Sequence, residues 1–239
     1  MSTFMLTLRQ RELIAERTMA FHFATPDLFH FEAGQALDVT LLDPPETDAE
    51  GNVRTFTIAS APQDDEVVIA TRVRDTAFKR ALASMPIGAE VQADGPDGSF
   101  TLHRDVAKPA VFLTGGIGIT PFRSMIRDAV ARTLPHSLWL FYSNTRPEDA
   151  AFLDEFQQLA NRTPLLHFVP TMTDMAKSSQ RWWGATGLID HAMLSSRLAL
   201  DGPRYYIAGP PAMVTAMHAM LTDAGVKDDD VRSDEFDGY

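Results

Sequence analysis

Ala110-Val111-Phe112-Leu113-Thr114-Gly115-Gly116-Ile117-Gly118-Ile119-Thr120-Pro121 decides how this chain folds. Four apolar residues without a polar break suit a strand covered on both faces, as in a parallel sheet. The strand runs into three glycines, which let backbone approach a ligand closely, and Pro121 suits the first turn of a helix. A glycine-rich turn from strand to helix is where an α/β sheet binds dinucleotides, with phosphate at the helix amides. The spacing is not G-x-G-x-x-G, and glycines also serve simple packing, so the turn alone leaves both roles open.

Downstream the same grammar repeats. Apolar strands are expected at Ser137 to Tyr142, Leu165 to Val169 and Tyr205 to Ala208, with helices from Pro147 to about Leu159 and after Gly209-Pro210-Pro211-Ala212-Met213. Strands alternating with longer helices predict a parallel α/β sheet. Ser143-Asn144-Thr145-Arg146 puts polar groups at a strand's carboxyl end, a place suited to a ribose and also ordinary for a loop. The methionines of the last helix, at helical spacing, read as core, and Asp228-Asp229-Asp230 as a solvated turn.

Upstream the pattern is antiparallel. Phe4, Leu6 and Leu8, then Phe21 and Phe23, then Leu37, Val39 and Leu41 alternate with polar neighbours, the period of half-buried strands. A polar, proline-rich loop from Asp43 to Asn52 delivers the chain to Arg54-Thr55-Phe56-Thr57-Ile58-Ala59-Ser60. There a permanently charged planar fork, an aromatic ring and hydroxyls share one strand, suited to a pyrophosphate and a flat ring, though an ordinary strand with one exposed Arg would read alike. Val67 to Ala70 is a short strand, and Asp75-Thr76-Ala77-Phe78-Lys79 opens a helix with Asp75 or Thr76 as its cap, a possible second phosphate contact. Ile87 to Asp94, followed by a Gly95-Pro96 turn, completes a small closed antiparallel barrel ending near Leu102. Lys108-Pro109 reads as a linker, so the expected division is a barrel domain over 1–105 and an α/β domain over 106–239.

Composition narrows the function. The 239 residues carry a formal net charge of −11, which disfavours broad attraction to nucleic acid or an anionic membrane. With no cysteine there is no disulfide, thiolate nucleophile or cysteine-held iron–sulfur cluster. The seven histidines lack ligand spacing, so no metal site is expected. No apolar run reaches the ~18 residues of a membrane span, and no export signal is visible; a cytoplasmic location is expected.

Five motifs now stand in order: Phe31-Glu32-Ala33-Gly34-Gln35, Arg54-Thr55-Phe56-Thr57, Gly95-Pro96-Asp97-Gly98-Ser99-Phe100, Thr114 to Pro121, and Tyr206-Ile207-Ala208-Gly209-Pro210-Pro211. Together they resemble the ferredoxin–NADP reductase superfamily, with Ala33 in a Pro position and Ala208 where many members carry Cys. The resemblance implies a flavin-binding barrel, usually with FAD, and an NAD(P)H-binding α/β domain, with hydride passing from nicotinamide to flavin at the cleft between them. Carried over, Arg54 binds the pyrophosphate, Phe56 stacks on the isoalloxazine, and Thr57 approaches its N5, with Thr55 beside them. Thr71, Arg72, Val73, Thr76, Ala77, Phe78 and Lys79 complete the flavin site. Thr114, Gly115, Gly116, Gly118, Ile119, Thr120 and Pro121 cradle the nicotinamide nucleotide, assisted by Ser143, Arg146, Ala208, Gly209, Pro210 and Met213. At the chain's end Phe236 covers the flavin's other face and Tyr239 packs near the domain junction.

The flavin supplies hydride and electron chemistry by its own electronic structure, so no acid–base residue is assigned, and Thr57 and Phe236 are the candidates nearest the reacting ring. Two readings follow. One is an FAD-dependent NAD(P)H oxidoreductase handing electrons to a separate protein or small acceptor. The other is a redox-sensing or regulatory module that binds both nucleotides without turnover, toward which Ala208 leans. FMN in place of FAD stays open, as do the acceptor and the oligomeric state. Coenzyme choice leans to NADH, because Thr171-Met172-Thr173-Asp174 stands where NADPH-specific relatives commonly carry a Ser-Arg pair, with Lys177 a substitute cation.

Overall fold

The computed structural model describes residues 2–236. They gather into two compact units: one runs through Thr101 and includes Thr120–Asp128, and the other comprises Leu102–Ile119 and the chain from Ala129 onward.

The first unit holds β1 (Ser2–Ala15), β2 (Thr18–Ala24), β3 (Ala36–Leu41), β4 (Val53–Thr57), β5 (Glu66–Arg72), β6 (Glu90–Asp97) and one helix, α1 (Ala77–Ser84). The strands form a single sheet in the order β4-β3-β6-β1-β2-β5, antiparallel at every pairing. Past β4 the chain rejoins the far edge: the Ala59 amide donates to the Val68 carbonyl (2.7 Å) and the Val68 amide to Ser60 Oγ (3.0 Å), so the sheet curls on itself. Alternation does the rest, with Leu37, Val39 and Leu41 facing inward against Leu6, Leu8, Phe21, Phe23 and Val91, and with Phe78 and Leu82 of α1 in the same core. The expected barrel is therefore present. One detail differs: β6 continues through Gly95-Pro96 to Asp97 instead of turning there. The pairing with β3 slips by one residue between Ala36 and Asp38, a bulge, and a Cβ on Gly95 would stand 3.0 Å from Leu37 Cδ2 at φ +139°.

The second unit holds β7 (Ala110–Gly115), β8 (Leu138–Asn144), β9 (Leu166–Met172), β10 (Ala185–Thr186), β11 (Arg204–Gly209) and β12 (Val231–Glu235). Its helices are α3 (Leu153–Arg162), α4 (His191–Ser195) and α5 (Pro211–Asp223), while α2 (Ile119–Ala131) lends its residues 120–128 to the first unit. All six strands pair in parallel in the order β10-β9-β8-β7-β11-β12. From β7 the chain proceeds to β8 on one side and later to β11 on the other. Such a reversal leaves a crevice at the strands' carboxyl ends, where open α/β sheets bind ligands. Met217 lies in the core, as expected of the α5 methionines, and Met213 and Met220 pack at its margin. Asp230, read as part of a solvated turn, is instead ion-paired with Lys108 (2.8 Å) and Arg204 (3.2 Å).

Candidate functional site

In the first unit an anion-binding corner forms where β4 meets the start of α1. Thr76 caps α1, its hydroxyl accepting from the Lys79 amide (3.4 Å). The Ala77 amide donates to Asp48 Oδ2 (3.1 Å), and Asp48 Oδ1 lies 3.6 Å from the Arg54 guanidinium. One carboxylate thus bridges a helix N-terminus and an arginine fork, the donor pair a phosphate takes. Arg54 also donates to Glu50 Oε2 (2.7 Å) and to the carbonyls of Glu50 (2.9 Å), Gly51 (3.3 Å) and Val53 (2.7 Å), and it lies 5.2 Å over the Phe78 ring. Burial lowers the pKa of Lys79, with repulsion from Arg74, Arg54 and Arg72 adding to it, so four cations crowd one region. That donor set fits a flavin diphosphate.

The other barrel candidates lie along β4 and at the end of β5. Phe56 is half-buried, tilted 34° against Phe78 with ring centroids 5.8 Å apart, and Thr57 beyond it is buried. Thr55 is exposed and its hydroxyl donates to Asp38. Thr71 is buried and Arg72 half-buried at the end of β5, after which the Val73 amide donates to Arg17 O (2.7 Å).

In the second unit the glycine turn is pressed against the end of β11. A Cβ on Gly118 would stand 2.4 Å from Ala208 O and 2.7 Å from Gly209 Cα, so this glycine is required by backbone-to-backbone packing. Thr114 Oγ1 donates to the same Ala208 carbonyl (2.8 Å). Gly116 takes φ +53°, and Tyr142 donates its hydroxyl to the Gly116 carbonyl (3.0 Å). Gly115 differs: a Cβ there would crowd the movable Met213 sulfur, at 2.7 Å, while the Ser143 carbonyl stands at an ordinary 3.5 Å, so its missing side chain leaves room under a flexible thioether. Ile119, Thr120 and Pro121 begin α2, all three buried, and Pro210 precedes α5. Ala208 is 0% exposed.

The carboxyl ends of β8 and β9 carry a second polar group. Ser143 is half-buried, and Asn144 is 5% exposed with neither amide atom hydrogen-bonded. Leaving a buried amide without partners costs ~1–3 kcal/mol, so a group that satisfies it is stabilised there. Arg146 pairs with Asp149 (3.0 Å) and reaches the Lys177 carbonyl (3.3 Å). Composition alone flagged the stretch 143–146, but Asn144's isolation depends on packing and has no sequence signal.

Toward the chain's end, Ser233 to Glu235 belong to the edge strand β12, which extends β11 as far as Glu235 opposite Gly209; the Phe236 amide then donates to the Gly209 carbonyl (3.1 Å). Phe236 is half-buried, and burial raises the pKa of Asp234. Tyr239 lies outside the described residues. Among the described residues no group of three or more His, Asp or Glu is arranged to hold a metal, and no helix is long and apolar enough to cross a membrane.

Comparison with known proteins meets this geometry in both units. A family model described as an oxidoreductase FAD-binding domain matches residues 5–102, and one described as an oxidoreductase NAD-binding domain matches residues 112–219. The chain belongs to the ferredoxin–NADP reductase superfamily. Within that family it is similar to "Ferredoxin--NADP reductase B" of Sorangium cellulosum, 28% identical over 231 residues, 92% of this chain and 91% of that one. It is also similar to a component of the Na(+)-translocating NADH-quinone reductase of Klebsiella pneumoniae, 31% identical over 206 residues; the match takes in 79% of this chain but only 50% of that longer relative. A crystal structure of a ferredoxin NADP+ reductase from Neisseria gonorrhoeae with bound FAD and NADP shares the fold at a TM-score of 0.81 and 20% identity, covering 98% of each chain. As a family member the chain is an NAD(P)H-dependent flavoprotein reductase with FAD and a nicotinamide nucleotide as cofactors.

Proposed function

We propose that this chain takes a hydride from NAD(P)H onto FAD and passes the electrons to a separate protein or small-molecule acceptor. Residues 1–105 serve as the FAD domain and 106–239 as the NAD(P)H domain. The observation that carries the reading is Asp48: a carboxylate already bridges Arg54 and the first amide of α1, so these two donors select an anion at the motif whose family role is pyrophosphate binding. Arg54 and the α1 amides then hold the diphosphate, Phe56 and Thr57 border the ring, and Thr71 to Val73 flank it. The glycine turn, Met213 and Asn144 orient the nicotinamide nucleotide, and Phe236 is assigned to the flavin's second face. Bound FAD supplies the hydride-accepting and electron-releasing chemistry. The protein's part is alignment, which in favourable cases lowers a barrier by ~7–11 kcal/mol.

The rival reading, binding without turnover, leaned on Ala208. Ala208 is fully buried, and that argument is correspondingly weaker. Anaerobic mixing of the FAD-loaded protein with NADH and with NADPH separates the two: bleaching of the flavin absorbance by either supports the reductase, and an oxidised flavin with both refutes it.

A further inference from the structure

Beside the carboxyl ends of β8 and β9, Glu148 is held by the loop that follows β9. Its two oxygens accept from Ser178 Oγ at 3.0 and 2.9 Å, and Oε1 also accepts from the Ser179 amide and the Ser179 hydroxyl, both at 2.8 Å. Two hydroxyls and a backbone amide converging on one anionic group are the contacts phosphate oxygens receive in proteins. Burial pushes the Glu148 pKa up, but its own backbone amide and the Ser179 and Ser178 donors outweigh this and bring it to about 2, so the group is a carboxylate at any working pH.

Two of the nearby cations are already matched. Arg146 pairs with Asp149 (3.0 Å) and Lys177 with Asp174 (2.7 Å). Counting Arg146, Lys177 and Arg181, which lines a pocket with Pro147, against Glu148, Asp149 and Asp174 leaves three positive and three negative charges, with no positive surplus. An adenosine ribose bearing a free 2′-hydroxyl is compatible with that balance, whereas a 2′-phosphate is a dianion that needs cations.

We propose that Glu148 is the coenzyme-selecting residue: its carboxylate takes the Ser178 and Ser179 donors that a ribose 2′-phosphate would use, and so directs the chain to NADH over NADPH. This rests on the nucleotide reading of the second unit proposed above. Glu148 acts by occupying a site, and no step of hydride transfer passes through it.

The test is direct binding of 5′-AMP and 2′,5′-ADP to the FAD-loaded protein by titration calorimetry, which needs no turnover. Wild type binds 5′-AMP at least as tightly as 2′,5′-ADP. Glu148→Ala raises 2′,5′-ADP affinity about tenfold or more with 5′-AMP within twofold of wild type, and Glu148→Gln, which keeps the acceptor and the loop tie, gains part of that. Adding Ser178→Ala and Ser179→Ala to Glu148→Ala removes the gain, and raised salt shrinks it. If both single variants leave 2′,5′-ADP affinity unchanged while 5′-AMP still binds, Glu148 merely ties two loops and the proposal falls. If neither nucleotide binds even wild type, the nucleotide reading itself falls.

Discussion

Replacing Arg54 by alanine separates the fold from the flavin. In the protein as it stands, the guanidinium pairs with Glu50 and lies near Asp48, donates to three carbonyls of its own loop and covers Phe78. Those ties belong to a side chain 20% exposed with partly exposed partners, so the ion pairs contribute ~0–1 kcal/mol and the contact over Phe78 ~0.5–1 kcal/mol. A domain stable by ~5–15 kcal/mol survives that loss. Toward a diphosphate, the same fork makes charge-assisted hydrogen bonds of ~1.5–3 kcal/mol each. Losing two costs ~3–6 kcal/mol, at least a hundredfold in Kd. Because Asp48 competes for the same donors, Asp48→Asn should shift FAD affinity the opposite way, toward tighter binding. Gel filtration followed by flavin quantitation, with FAD titration of the apoprotein, measures both effects, and a melting curve confirms the fold. An Arg54→Ala protein that keeps flavin at wild-type stoichiometry and affinity would refute the placement of the diphosphate.

Three further outcomes follow from particular contacts. Gly118→Ala must push its methyl into the Ala208 carbonyl, 2.4 Å away, so thermal unfolding should shift down by several degrees even without nucleotide; an unchanged melting temperature contradicts the packing role. Asn144→Leu removes two unpartnered buried polar atoms, so the nucleotide-free protein should be no less stable while 5′-AMP binding weakens about tenfold; unaltered 5′-AMP affinity would exclude Asn144 from the site. His103 has Nδ1 2.9 Å from the Tyr206 hydroxyl and Nε2 3.0 Å from Lys108 O, and burial holds its pKa below the ordinary 6.5. The unfolded chain therefore binds more protons between that lowered value and 6.5, so His103's contribution is fully present above pH 6.5 and declines as pH falls through the folded value. His103→Gln should flatten the stability–pH curve in that window, and an equally steep curve assigns the dependence elsewhere.

Much of this fold was legible because its signals are local. Alternation at Leu37, Val39 and Leu41 and the unbroken run Ala110 to Leu113 gave the barrel and the parallel sheet their periods, and the glycines of 115–118 marked the turn. What escaped was non-local. Strands β10 and β12 are short and polar, and become strands only because β9 and β11 offer edges to pair with. Gly118 announced close approach without saying to what; the partner is the backbone of Ala208, ninety residues further along the chain. In the candidate site, Arg54 and Thr76 were readable from charge and capping pattern. Asp48 stood in a polar loop and Glu148 inside an expected helix from Pro147 that instead begins at Leu153, and their roles depend on donors that folding brings to them from Ala77 and from Ser178 and Ser179.

The most direct test of hydride transfer is anaerobic stopped-flow reduction of the FAD-loaded protein by NADH deuterated at the transferring C4 position, beside unlabelled NADH. The account predicts full bleaching of the flavin with both, slower with the deuterated donor because that C–H bond breaks in the observed step. A flavin that stays oxidised under saturating NADH and NADPH would contradict it.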